Sequence, residues 1–444
     1  MRVAVVGAGI IGVTTAYELG ADGCDVTVFE RRGAVAEETS FANAGLVAPG
    51  YVTPWAAPGM PMKVIRHLAS RHAPIRLHPG LDLGWAWKWW RACRVRTYQA
   101  NRLRMQRLAY FSRERLREVT RDLHLEYERG EGYLVLLRSH KDLAMVQPGL
   151  ATLSALGTRH AVLDAEQCRA IEPGLAGQTA LHAGIHLPDD EVGNCRQFAL
   201  LLRREAEQHG VRFVFDTTVQ RIEPGRRPNL VHVRSVRDEP PTSTRSRSAP
   251  GEWADTQPQP HEPVTEGFDA VVVCAALGSR PLLRPLGLKL PLQAVYGYSV
   301  TAPLRQSDPH LDHAPRSALM DERFKVAISR LGDRIRIAGS AELGGDAEKL
   351  HPGALATLYK VLDDWFPGAA QMRHAQAWKG ARPMLPDGPP VLGASGIEGV
   401  WLNLGHGSSG WALSCGSARL LADALAGRAP AIDIEGLGIE RLRA

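Results

Sequence analysis

Residues 2–20 read RVAVVGAGIIGVTTAYELG, and this stretch decides the fold. Arg2 to Val6 is a short apolar run, the pattern of a strand buried on both faces. Gly7, Gly9 and Gly12 then form G-x-G-x-x-G, followed by a helical pattern from Val13. The first glycine allows a tight turn. The second lets backbone approach a pyrophosphate, and the third lets helix and strand pack closely. Phosphates favour the N-terminus of such a helix, where N–H groups and the helix dipole point outward. A second strand, Asp25 to Phe29, ends at Glu30. A carboxylate about twenty residues beyond the glycines is placed for ribose hydroxyls. Strand, turn, helix and acid together predict a dinucleotide site in an α/β domain.

The segment after Glu30 selects among dinucleotides. Glu38-Thr39-Ser40-Phe41-Ala42-Asn43-Ala44-Gly45 is built of small residues, as suits backbone laid along a large flat ring. That favours a flavin over a nicotinamide. Bulk properties set further bounds. With 444 residues, the chain can build two domains. A hydrophobic content of 44% and a formal net charge of +6 fit a globular enzyme and give no argument for nucleic acid. The six cysteines are scattered without a C-x-x-C pair, so reduced thiols are expected. No signal peptide is expected, because the first strand starts at Arg2, and no apolar run has membrane-spanning length. A cytoplasmic protein is expected.

Further along, Leu81 to Trp90 places Trp85, Trp87, Trp89 and Trp90 within six positions, and an arginine-rich helical stretch follows to Arg121. This reads either as an amphipathic helix with core tryptophans or as a face for a membrane surface or partner. Asp189-Asp190-Glu191 is read as a domain crossover with a helix-capping role, not as a metal site. Residues 224–263, rich in Pro, Arg, Ser and Thr, read as a mobile insertion that holds one short strand, Leu230 to Val236, before a mobile loop over 238–263. Alternating strands from 295 to 339 suit an antiparallel domain.

Five segments carry a resemblance: Glu38 to Ala57 (ETSFANAGLVAPGYVTPWAA), Pro188 to Cys195 (PDDEVGNC), Val295 to Thr301 (VYGYSVT), Ala381 to Gly388 (ARPMLPDG) and Asn403 to Gly416 (NLGHGSSGWALSCG). In these the chain resembles the FAD-dependent D-amino acid oxidase-like superfamily, and within it the catalytic subunits of bacterial D-amino acid dehydrogenases. The resemblance implies an FAD-binding Rossmann-like domain with a second, antiparallel-sheet α+β substrate domain. The expected division gives 1–50, 188–223, 264–288 and 378–430 to the FAD domain. It gives 51–187 and 289–377 to the substrate domain, and leaves 431–444 as a tail. The implied reaction is oxidative deamination of a D-amino acid to a 2-oxo acid and ammonia, by hydride transfer from Cα to flavin N5. Electrons would pass to a quinone or other acceptor, with the enzyme peripheral on the inner face of the inner membrane. Two readings stay open beside it. One is a D-proline or hydroxyproline dehydrogenase or an oxygen-using amine oxidase of the same fold. The other is a non-catalytic flavoprotein subunit.

Cofactor contacts are expected at Val3, Val5, Val6, Gly7, Ala8, Gly9, Ile10, Ile11, Gly12, Val13, Glu30 and Arg31. They continue at Thr39, Ser40, Asn43, Ala44, Gly45, Val219, Ala275 and Gly278. The last group is Gly405, His406, Gly407, Ser408, Ser409 and Gly410, at a helix N-terminus suited to negative charge on the reduced flavin. Arg382 is the expected clamp for a substrate carboxylate, because a guanidinium fork matches it bidentately. The alternative is a structural arginine tied to Asp387. Tyr51, Tyr296, Tyr298 and His406 are candidates for the substrate cavity, each with core packing as the rival role. Gly380 aligns with the cysteine that joins FAD covalently in related sarcosine oxidases, so non-covalent FAD is expected.

Overall fold

A computed structural model describes residues 1–67, 72–234, 262–305 and 314–442. The opening stretch folds as its pattern requires. Strand Arg2–Val6 leads through the glycine turn into helix Ile10–Ala21, and strand Asp25–Phe29 returns parallel to the first. They lie inside a six-stranded sheet ordered Val391–Ala394, Val400–Leu404, Ala270–Val273, Arg2–Val6, Asp25–Phe29, Arg212–Val214. All pairs in it are parallel except Val391–Ala394 with Val400–Leu404. Val3, Val5, Val26, Val28 and Val272 are wholly buried, and Phe198, Leu202 and Trp411 cover one side of the sheet. Helix Gly410–Leu425 lies against helix Ile10–Ala21. The two are welded by buried Glu18, which accepts from Arg115 and Arg419 at 2.7 Å each.

A ten-stranded mixed sheet forms the second body. Its main path runs Gln376–Met384, Gln293–Pro303, Arg334–Leu343, Val326–Leu331, Ala318–Asp321, Gly130–Leu137, Ala183–Val192, Leu46–Val47. Helix Pro352–Trp365 packs on one face through Leu358, Val361 and Trp365. Three of these strands cross the expected domain boundaries. Leu46–Val47, the end of Ala183–Val192 and Gln376–Met384 all belong to this sheet, not to the nucleotide-binding one. The chain thus passes between bodies inside strands, where composition does not change.

Residues 189–191 lie in strand Ala183–Val192, and the helix-capping role expected of them falls to Asn194. Asn194 Oδ1 accepts the Gln197 N–H, while Glu191 pairs with Arg117 at 2.5 Å. Of the expected insertion, Asn229–Arg234 forms the middle strand of a small antiparallel sheet, and 235–261 lie outside the described residues. No helix among the described residues is long and apolar enough to cross a membrane.

Candidate active site

Two adjoining cavities run from the glycine turn into the larger sheet. The first, of about 280 Å³, lies against the turn and the ends of the parallel strands. Ligands bind at that edge of an open α/β sheet. Gly7 has φ +102°, and a Cβ there would meet the Cys274 carbonyl oxygen at 2.9 Å. A Cβ at Gly12 would overlap the Gly7 carbonyl oxygen. Helix and strand therefore close up only because both positions lack side chains. Glu30 Oε2 accepts the Ala8 N–H at 2.7 Å and Oε1 accepts that of Arg32 at 2.8 Å. Burial pushes the Glu30 carboxyl above its ordinary range, and these two hydrogen bonds oppose the shift.

Val6, Gly7, Gly9, Ile10, Ile11, Glu30, Arg31, Thr39, Ser40, Val219, Ala275, Gly278, Gly405, His406, Gly407 and Gly410 line this cavity. Asn43, Ala44, Gly45, Ser408 and Ser409 line the second. Five expected contact residues stand behind the wall. Val3, Val5, Ala8 and Val13 are wholly buried in the core, and Gly12 packs against Gly7. Alternation along the strand turns Val3 and Val5 into the hydrophobic layer.

The second cavity, of about 300 Å³, shares Ile10, Thr39, Ser40, Gly407 and Gly410 with the first. Strand Gln376–Met384 supplies one wall. Residues two apart on a strand share a face, so Trp378, Gly380 and Arg382 all look into the cavity. The Trp378 indole lies over Gly380, where a Cβ would overlap it. Thr39 Oγ1 ties this strand to the small-residue segment by donating to the Ala381 carbonyl at 2.6 Å. Arg382 Nη1 donates to the Ser340 carbonyl at 3.0 Å. Among the described residues no carboxylate pairs with it, because Asp387 is taken by Arg441 at 2.8 Å. Arg382 is half-buried, and burial pulls the guanidinium down to about 10, where it remains cationic at neutral pH.

The tyrosines divide by face. Tyr51 lines the second cavity and meets Tyr133 edge-on, ring centroids 5.4 Å apart. Tyr298 lines the cavity with Arg382, whereas Tyr296 does not. Register pairs Val295 with Arg382 and Gly297 with Gly380, so even-numbered positions of strand Gln293–Pro303 turn to the opposite face. Tyr298 packs there among Val326, Ile337 and Leu358, with its hydroxyl on buried Glu342. Tyr298 borders the cavity without offering that hydroxyl. Tyr296 lies under the Lys379 ammonium, 4.6 Å from the ring centroid. His406 is buried and bonds Ser417 Oγ at 3.1 Å, and burial pulls its imidazole down to about 3. It stays neutral across the working pH range. Tyr133, not singled out from sequence, lines the second cavity with its hydroxyl buried and without a partner among the described residues. Its only sequence signal is the glycine pair of Gly130-Glu131-Gly132 before it.

Paired cavities joined at a glycine turn define a dinucleotide flavoprotein, and the chain belongs to the FAD-dependent oxidoreductase family, whose model matches residues 2–424. FAD is its cofactor. Over 447 residues, 99% of this chain and 100% of the relative, it is 42% identical to D-amino acid dehydrogenase of Rhizorhabdus wittichii. It is 41% identical to D-amino acid dehydrogenase of Bradyrhizobium diazoefficiens over 99% of each chain. Among solved structures, glycine oxidase from Geobacillus kaustophilus matches with a TM-score of 0.72 at 20% identity, covering 98% of each chain. L-Proline dehydrogenase from P. horikoshii also matches at 0.72, with 13% identity over 100% of this chain and 97% of that one. These two likenesses concern the fold alone.

The cradle suits the cofactor. The first cavity offers backbone, a helix N-terminus and a carboxylate, which is the chemistry of an adenosine diphosphate. The second adds the main chain of Asn43 to Gly45 and the helix start at Gly407 to Gly410, which fits a flat polar-edged ring.

Proposed function

We propose that the protein oxidises D-amino acids to 2-oxo acids and ammonia, with the substrate carboxylate held by Arg382 in the second cavity. The observation that carries this reading is a half-buried cationic guanidinium that faces a cavity and has no carboxylate partner among the described residues. Leaving such a charge uncompensated is costly, and a bidentate carboxylate offsets that cost. The D-amino acid specificity rests on the names of the full-length relatives. When bound, FAD would supply the oxidising chemistry by accepting a hydride, that is two electrons and one proton. The chain's own residues do the rest. Arg382 anchors and orients the substrate. Trp378, Tyr51 and Tyr133 wall the cavity against water. Neutral His406 adds no competing charge. The imine formed by loss of hydride and proton is hydrolysed by water to the 2-oxo acid and ammonia. With Trp378 covering Gly380 and no side chain there to bond the flavin, FAD is held non-covalently. The test is anaerobic bleaching of the flavin by D-amino acids but not their L-enantiomers, followed by reoxidation with quinone, dye and oxygen. Equal bleaching by both enantiomers overturns the reading, as does none by either.

The acceptor side is read from an exposed apolar face. Helices Met60–His67 and Leu83–Ala92 pack on one cluster through Val64 and Trp85. They leave Met62, Ile65, Leu83, Trp87 and Trp90 exposed, with Trp87 at 58% and Trp90 at 51%. Lys63, Arg66, Lys88, Arg91, Arg94 and Arg96 are exposed beside them, and the only acid between residues 60 and 100 is Asp82. Stacked tryptophans among cations suit an anionic membrane surface, where a quinone is at hand. Trp85 Nε1 donates to the Met384 carbonyl at 3.1 Å, so this face backs directly onto the strand of Arg382. The protein is thus read as a peripheral enzyme of the inner membrane's inner face.

A further inference from the structure

The carboxylate anchor is itself held by a strained backbone position. Register between strands Gln293–Pro303 and Arg334–Leu343 slips between Tyr296 and Tyr298. Tyr298 pairs with Gly339 and Tyr296 with Glu342, so Gly297 alone faces Ser340 and Ala341. This is a β-bulge, a device that re-aims backbone groups. At the bulge Ser340 has φ +59°, a conformation that non-glycine residues rarely adopt. The distorted peptide directs the Ser340 carbonyl at Arg382 Nη1, 3.0 Å away. Across from it, Gly297 provides the space: a Cβ there would overlap the guanidinium, with Nη1 at 2.9 Å. Ser340 is buried, and its hydroxyl has no partner among the described residues, so nothing in its side chain accounts for the strained backbone. Strain of this kind persists where the surroundings enforce it and clusters at working sites.

We infer that Ser340 is a positioning residue for the reaction: its left-handed backbone, with the gap at Gly297, fixes the Arg382 fork in the orientation that accepts a carboxylate. The inference rests on the reading of Arg382 as the substrate anchor. It assigns Ser340 no contact with substrate. One Arg382 donor is spent on the carbonyl, which leaves the far edge of the fork free for two parallel bonds.

The test compares FAD-loaded Ser340→Val, Ser340→Gly, Gly297→Ala and Arg382→Ala proteins. Propionate, a simple carboxylate that cannot be oxidised at an amine, serves as competitive inhibitor against D-alanine. Valine is β-branched and resists positive φ, so the peptide turns and the carbonyl leaves Arg382. The expected result is a rise of roughly 10- to 100-fold in both the propionate inhibition constant and the D-alanine KM, with a smaller change in kcat. Glycine tolerates the conformation and restores the carboxylate affinity that valine loses. Gly297→Ala displaces the guanidinium without touching the bulge residue and raises the same two constants, which keeps the test decisive if Ser340→Val does not fold. Unchanged propionate inhibition in Ser340→Val and Gly297→Ala, with Arg382→Ala strongly weakened, overturns this inference alone. Unchanged inhibition in Arg382→Ala overturns the anchor reading itself.

Discussion

Around the first cavity, glycines and short side chains bring the backbone to the ligand. Around the second, Trp378, Arg382 and Tyr133 project from the ten-stranded sheet, where their meeting depends on strand register, and Tyr51 joins them from the short helical turn Pro49–Tyr51. The core of the backbone cradle is local, since Gly7, Gly12 and Glu30 all lie within one βαβ unit, although Val219, Ala275 and Gly405 to Gly407 complete its wall from far along the chain. A side-chain cavity is not local. Arg382 and Tyr133 are 249 residues apart in sequence, on strands separated by four others in the same sheet. The first kind of site tolerates no added atoms at Gly7 and Gly12. The second tolerates shape changes but not loss of its few polar groups.

The largest effect should come from adding atoms to the first cavity. Gly12→Val would drive a branched side chain into the Gly7 carbonyl and part helix from strand. The protein should purify without flavin colour, and a yellow Gly12→Val protein would break the contrast. Next is helix Leu83–Ala92, proposed above to face a membrane. Trp87→Ala with Trp90→Ala removes two exposed indoles stacked 5.0 Å apart, without opening the core. Sedimentation with anionic vesicles should fall roughly tenfold or more, and added salt should weaken what remains. Vesicle binding equal to the parent's would remove the docking surface from the account.

Tyr133→Phe sharpens the comparison within the second cavity. A buried hydroxyl without a partner is costly unless a ligand supplies one. If substrate does so, kcat/KM for D-amino acids should fall roughly 2- to 10-fold while thermal stability holds or rises. A more stable protein with full activity would make Tyr133 a wall residue only.

The smallest effect concerns Asp190, buried behind the second cavity. Burial pushes its carboxyl up to about 7, with Arg113 at 3.5 Å opposing the shift and Asp189 and Glu191 adding to it. A raised carboxyl means the folded state binds the proton more tightly than the unfolded one. Stability is then lost as pH climbs from the ordinary carboxyl range towards 7. Asp190→Asn should therefore raise the melting temperature at pH 8 more than at pH 5. An equal change at both values would assign no such cost to Asp190.

What was legible in the sequence follows the same division. The glycine turn, Glu30 and the small residues from Thr39 to Gly45 announce themselves, because backbone geometry restricts which residues can stand there. Arg382 was legible through its segment's resemblance to relatives. Tyr298 does line the second cavity, but Tyr296 does not, because the face a residue takes depends on pairing with residues 380–382, which no local pattern fixes. Val3, Val5 and Val13 look like part of the nucleotide motif but face the core. Ser340 was invisible, since its only mark is a φ angle imposed by a bulge.

Arg382 is where the reading of the second cavity is most exposed. The direct measurement is the rate of anaerobic flavin reduction by D-alanine in stopped flow, comparing parent and Arg382→Ala proteins of equal FAD content. The expected result is a fall of about 30- to 1000-fold in the second-order rate of reduction, because a charge-assisted bidentate anchor is lost. Reduction at the parent rate would contradict the assignment of the substrate carboxylate to Arg382.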